Sequence, residues 1–127
     1  MNKINTSVLY VEDDNISRVY AEKMLSITVD SYKTAENGKD AIEKILEEDF
    51  LPEFIITDLR MPDMNGFDII STIKKIKEYN PKIIVITGHS DIDEIKDILK
   101  DEIIGIFQKP LDFSDILKCI KSHKEMA

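Results

Sequence analysis

Strand-length apolar runs and helical apolar stripes alternate five times along the chain. Four of the runs are Val8-Leu9-Tyr10-Val11, Phe54-Ile55-Ile56-Thr57, Ile83-Ile84-Val85-Ile86 and Ile104-Gly105-Ile106-Phe107-Gln108. They predict strands over Thr6–Val11, Phe54–Thr57, Lys82–Thr87 and Ile104–Gln108, with a weaker strand over Ser31–Ala35. Between them lie residues at helical spacing. Ile16, Val19, Tyr20, Met24 and Ile27 share one face of a helix predicted over Asn15–Ile27. Ala41, Ile42, Ile45 and Leu46 mark a second helix after an Asn37-Gly38 turn. Phe67, Ile70, Ile73 and Ile76 mark a third, and Ile92, Ile95, Ile98 and Leu99 a fourth that Asp91 can cap. Asp112 or Ser114 can open the last helix, with Phe113, Ile116, Leu117 and Ile120 facing inward.

Repeated strand–helix units of this length imply an α/β fold, a parallel sheet with helices on both faces. Strands three and four are near-continuous apolar runs, as expected of strands covered on both sides. Such sheets bind ligands beyond the carboxyl ends of their strands, where the strand order reverses. Polar residues of a particular kind sit at those ends: Glu12, Asp13 and Asp14, then Asp58, Thr87 and Lys109.

The 127 residues fit one domain. A formal net charge of −8 argues against a general nucleic-acid binder and against docking on anionic membranes. The single cysteine, Cys119, forbids an internal disulfide, and no signal or membrane-spanning segment precedes the first strand. Cytoplasmic residence is the expectation.

Taken singly, each polar residue has an ordinary structural role. Asp13 and Asp14 suit a helix N-cap, Asp58 a turn, Thr87 a cap and Lys109 a surface loop. Placed together they suit phosphoryl transfer. Two adjacent carboxylates can hold Mg²⁺, which takes oxygen ligands and keeps several waters. A carboxylate at Asp58 can be a nucleophile toward phosphorus, Thr87 can donate to a phosphoryl oxygen, and Lys109 can neutralise charge.

The segments Leu9-Tyr10-Val11-Glu12-Asp13-Asp14, Asp58-Leu59-Arg60-Met61-Pro62-Asp63-Met64-Asn65-Gly66, Val85-Ile86-Thr87-Gly88 and Gln108-Lys109-Pro110 resemble the receiver domain of two-component response regulators, the CheY-like family. The resemblance runs from Ser7 to about Lys121. It implies a flavodoxin-like, doubly wound five-stranded parallel sheet in the order 2-1-3-4-5, a single receiver domain over 1–127 with its core at about 6–122. It implies that Asp58 accepts a phosphoryl group from a histidine kinase phosphohistidine. It implies a Mg²⁺ (or Mn²⁺) site made by Asp13, Asp14, Asp58 and the backbone carbonyl of Arg60, with Thr87 and Lys109 on the phosphoryl oxygens. The Lys109-Pro110 bond is usually cis in this family. The activity implied is a phosphorylation-dependent switch, with no turnover beyond its own phosphotransfer and slow autodephosphorylation. Its output face is the fourth helix, fifth strand and fifth helix. The partners implied are a sensor kinase or phosphotransfer protein and a downstream protein or output domain. Phosphorylation-dependent homodimers also occur in the family.

One position departs from the family pattern. Many members carry Tyr or Phe three residues before the lysine, where this chain has Ile106. Phe107 is adjacent, but neighbouring strand residues point to opposite faces, so it is expected to pack under helices. Arg60 and His89, two residues past Asp58 and Thr87, are candidates for setting the lifetime of the phosphorylated state. Two other activities fit less well. An aspartate-based phosphohydrolase of the haloacid-dehalogenase type needs a second Asp where Arg60 stands. A flavin-binding protein needs a hydroxyl- and glycine-rich loop after the first strand, where this chain has carboxylates.

Overall fold

Alternation along the first strand decides the layering. In a computed structural model of the chain, which describes residues 3–59, 66–88, 92–99 and 101–125, β1 (Ile4–Val11) sends Leu9 and Val11 to one side of the sheet and Val8 and Tyr10 to the other. The elements that follow are α1 (Asn15–Thr28), β2 (Val29–Ala35), α2 (Gly38–Leu46), β3 (Phe54–Asp58) and α3 (Gly66–Lys74). Then come β4 (Lys82–Thr87), α4 (Ile92–Leu99), β5 (Gly105–Gln108) and α5 (Phe113–Glu125). All strand pairs are parallel, in the order β2-β1-β3-β4-β5.

Each face of the sheet has its own core. On one side Leu9, Val11, Ile55, Ile83 and Val85 meet Ile45 of α2, Ile69, Ile70 and Ile73 of α3, and Ile95 and Leu99 of α4. On the other, Val8, Tyr10, Phe54, Ile56, Ile84 and Ile86 meet Ala21 and Leu25 of α1 and Phe113, Ile116 and Ile120 of α5. Every residue of β3 is buried, as the continuous apolar run requires. Ile106 packs with the α3/α4 core and Phe107 with the α1/α5 core, as the alternation predicts.

Side-chain caps set the starts of α1, α2 and α5. Asp14 accepts a hydrogen bond from the Ser17 N–H at 2.8 Å, and Asn37 from the Asp40 N–H at 2.7 Å. Asp112, one of the two residues proposed to open the last helix, accepts from the Ser114 N–H at 3.0 Å. The Asn37-Gly38 pair is therefore a helix entry. Asp91, the expected cap of α4, lies outside the described residues.

One helix departs from a simple reading of its pattern. The stripe of α1 formed by Ile16, Val19, Tyr20 and Ile27 faces outward, and Ile16 is 81% exposed. The buried seam is made by Ala21, Leu25 and Thr28, with Met24 at its edge. Among the described residues no helix is long and apolar enough to cross a membrane.

Candidate functional site

The strand order reverses between β1 and β3, since β2 lies to one side and β4 and β5 to the other. A crevice therefore opens beyond their carboxyl ends. Backbone bonds extend the pairing past the strands and fix the chain there. The Glu12 N–H donates to Ala35 O at 3.0 Å, Leu59 N–H to Ile86 O at 3.0 Å, and Lys109 N–H to Thr87 O at 2.7 Å. Arg18 reaches back from α1 and donates to the carbonyls of Glu12 at 3.0 Å and Asp13 at 3.4 Å. The acidic turn after β1 is thus held from both sides.

Lys109 is the hub. Its Nζ donates to Asp58 Oδ2 at 2.6 Å and to Glu12 Oε1 at 2.5 Å. The Lys109-Pro110 peptide is cis, as the resemblance implies. Asp58 is buried and lies at the end of β3, in register with Ile86. Thr87 is the next residue along β4 and is also buried. A cavity of about 240 Å³ adjoins Lys109, lined by Tyr10, Glu12, Ser17, Tyr20, Leu111 and Phe113 among others.

Charge at the site follows from burial. Burial pushes the Glu12 carboxyl up to about 7, the adjacent Asp58 carboxyl adds to this, and Lys109 opposes it. Burial alone would lower the Lys109 ammonium, but hydrogen bonds to Asp58 and Glu12 outweigh it and hold the ammonium charged. The Tyr10 phenol is raised by burial and by the charges of Glu12 and Asp58.

The structure sorts the expected cation ligands differently from the sequence. Ligand oxygens of Glu12, Asp13 and Asp58 lie within 4.8 Å of one another. Asp14 is not in that group. Its carboxylate caps α1, and the bonds from Ser17 hold it below the usual carboxylate range. Glu12 takes the place expected of Asp14. Strand parity does not separate Glu12 from Asp14, which both continue the series of Val8 and Tyr10, so the missed signal lies in the cap. An Asp three residues before Ser17 reads as a cap. Arg60 and His89 lie outside the described residues.

A divalent cation with oxygen ligands fits these residues on two counts. Three carboxylates converge, and among the described residues Oε2 of the fully buried Glu12 has no hydrogen-bond partner. A buried acceptor in that condition is costly unless a ligand or water completes it.

Sequence comparison agrees with this architecture. Residues 8–121 match the response regulator receiver domain family. The transcriptional regulatory protein ZraR of Klebsiella oxytoca is 31% identical over 118 residues, which are 91% of this chain and 26% of that protein. The chain thus spans about a quarter of the length of that relative. Sporulation initiation phosphotransferase F of Bacillus subtilis is 26% identical over 94% of both chains. A receiver domain from Clostridium thermocellum superposes with a TM-score of 0.81 at 25% identity, over 95% of this chain and 98% of that one. With the sheet order, the site at its switch point and the family match over 8–121 in agreement, the chain belongs to the response regulator receiver domains of two-component systems.

Proposed function

We propose that this chain is a phosphoacceptor switch, a single receiver domain over 1–127 with its core at about 6–122. Asp58 takes a phosphoryl group from the phosphohistidine of a sensor kinase or phosphotransfer protein. An Asp58 oxygen bonds to phosphorus while the P–N bond breaks, and the imidazole leaves with its electron pair. One observation carries this reading: the buried Asp58 carboxylate is held by Lys109 at 2.6 Å beside two further carboxylates.

Glu12, Asp13 and Asp58 would hold Mg²⁺ or Mn²⁺, with the Arg60 carbonyl as a further ligand. Bound there, the cation neutralises charge on the transferring group. Lys109 neutralises the same charge, and the Thr87 hydroxyl donates to a phosphoryl oxygen. The cavity beside Lys109 admits the donor group, and the outward apolar row of α1 adjoins it through Tyr20. That row gives the donor protein an apolar surface to dock on.

Phosphorylation adds charge and acceptors at one point. Thr87 then draws toward Asp58, and α4 repositions against β5. A cleft of about 210 Å³ lined by Lys96, Ile103, Ile104, Gly105 and Ile106 gives α4 room for this. Ile106, on the α4 side of β5, senses the shift in place of an aromatic residue. The α4-β5-α5 face regulates a downstream protein, an output domain or a second copy. Arg60 and His89 tune the lifetime of the phosphorylated state. The switch catalyses only its own phosphorylation and slow dephosphorylation, and works in the cytoplasm.

Incubation with acetyl phosphate and Mg²⁺, followed by intact-mass measurement, tests the assignment. Wild type is expected to gain one phosphoryl group and Asp58→Asn none. Undiminished labelling of Asp58→Asn would show that the acceptor lies elsewhere.

A further inference from the structure

Tyr10 carries a hydroxyl that the fold does not use. The side chain is 2% exposed and belongs to the α1/α5 core. Among the described residues no hydrogen bond involves its hydroxyl. A buried phenol ordinarily finds a partner for that group. Tyr10 instead forms part of the wall of the cavity of about 240 Å³ beside Lys109. Register brings it close to the phosphoacceptor. Tyr10 pairs with Ile56 of β3, and Asp58 lies two residues further along the same face. The charges of Glu12 and Asp58 both act on the phenol, and with burial they keep it protonated. The rest of the cavity suits a flat ring. Tyr20, Phe113, Leu111 and Pro110 give it aromatic and apolar walls. Lys109, with Nζ 2.6 Å from Asp58 Oδ2, forms its wall toward the phosphoacceptor. The volume is that of roughly eight waters at about 30 Å³ each, ample for a five-membered ring.

Resting on the phosphoacceptor reading above, we propose that this cavity is a subsite for the imidazole ring of the phosphoryl donor, and that Tyr10 is its specificity-determining residue, donating a hydrogen bond to the ring nitrogen remote from phosphorus. As the bond from Asp58 to phosphorus forms, the P–N bond breaks and its electron pair goes to the ring. Negative charge then builds on both ring nitrogens, so the bond from Tyr10 strengthens toward the transition state. Tyr10 keeps its own proton. The ring takes one from solvent and leaves as neutral imidazole. An acyl phosphate has no ring to fill the cavity and no second nitrogen to meet Tyr10. The hydroxyl therefore favours N-phosphorylated imidazoles over acyl phosphates. A phenylalanine at this position would pack the same core and lose that preference.

The test compares three small donors that need no kinase: phosphoimidazole, phosphoramidate and acetyl phosphate, each with Mg²⁺. Initial labelling rates are read by intact mass in wild type and in Tyr10→Phe, which removes the hydroxyl and keeps the ring. The ratio of the phosphoimidazole rate to the acetyl phosphate rate is expected to fall about tenfold in Tyr10→Phe. Phosphoramidate breaks a P–N bond without a ring, and its ratio to acetyl phosphate is expected to stay within about twofold of wild type. A phosphoimidazole ratio within about twofold of wild type, or an equal fall for phosphoramidate, would overturn the assignment. A second measurement needs no variant. Free imidazole is expected to shift the Tyr10 ring signals in the NMR spectrum of wild type. Signals that stay unmoved at high millimolar imidazole would also overturn it. Wild-type labelling that is lost in Asp58→Asn, alongside any of these adverse results, sinks this inference and leaves the phosphoacceptor reading standing. Absence of labelling by every donor, alongside the expected imidazole shifts, does the reverse.

Discussion

Three neighbouring carboxylates after β1 show how much one position can change. Glu12 is buried, Asp13 is exposed at the crevice, and Asp14 caps a helix. Composition alone cannot separate them, because all three are acidic and adjacent. Capping can, since Asp14 lies three residues before the Ser17 N–H whose hydrogen bond it accepts, which leaves Glu12 and Asp13 for the crevice. Asp58, Thr87 and Lys109 were easier to read, because each ends or directly follows an apolar run. The raised Glu12 carboxyl makes a pH prediction. Its folded value is about 7 against an ordinary 4.5, so the folded protein binds more protons between those values. Its contribution to stability is fully present below the ordinary value and is lost as pH rises through about 7. Thermal melts of the cation-free protein should show that loss, and saturating Mg²⁺ should remove it by displacing the proton. Mg²⁺ affinity should climb over the same interval. A second prediction concerns backbone strain. Glu78 sits at φ 62°, a conformation unfavourable for a residue with a Cβ. Glu78→Gly is expected to stabilise by roughly 0.5–1 kcal/mol, raising the urea midpoint without changing the slope. Asp49, at φ 54°, should gain less from the same change, because Asp tolerates this region better.

At the scale of an element, α1 carries two apolar seams. Hydrophobic periodicity found the stronger one, Ile16, Val19, Tyr20 and Ile27, and that seam faces solvent. The core instead takes Ala21, Leu25 and Thr28. Spacing shows that a face exists but does not say which of two faces is covered. The strands are more legible, because the central runs Phe54-Ile55-Ile56 of β3 and Ile83-Ile84-Val85-Ile86 of β4 are apolar on both faces and leave no face to choose. The outward seam gives a prediction. Ile16→Glu should slow phosphotransfer from the cognate kinase by about tenfold through lost apolar contact. It should leave labelling by acetyl phosphate unchanged and stability within about 0.5 kcal/mol, since the side chain is exposed. Equal slowing with both donors would place the defect at Asp58 and not at docking.

Across the whole molecule, the end of the sheet opposite the crevice is tied by Glu53. Its carboxylate accepts from Thr6 of β1 at 2.5 Å and from Lys124 of α5 at 2.7 Å, with Lys82 of β4 at 3.7 Å. Burial alone would raise this carboxyl, but the bonds from Lys124 and Thr6 outweigh it and hold it below the usual range. Its contribution is therefore present above the ordinary carboxylate value and is lost as pH falls through the lower folded one. Glu53→Gln should flatten the acid limb of a stability-against-pH curve and cost about 1 kcal/mol near neutrality. No apolar pattern marked Glu53, because its partners come from three separate elements. At the crevice, Lys109 lies 97 residues from Glu12 and 51 from Asp58. During synthesis the two acids can gather before their shared counter-ion has been made. A growing polypeptide that gathered them early would carry their mutual repulsion until the fifth strand docks, and the portion made last supplies the ammonium that relieves it.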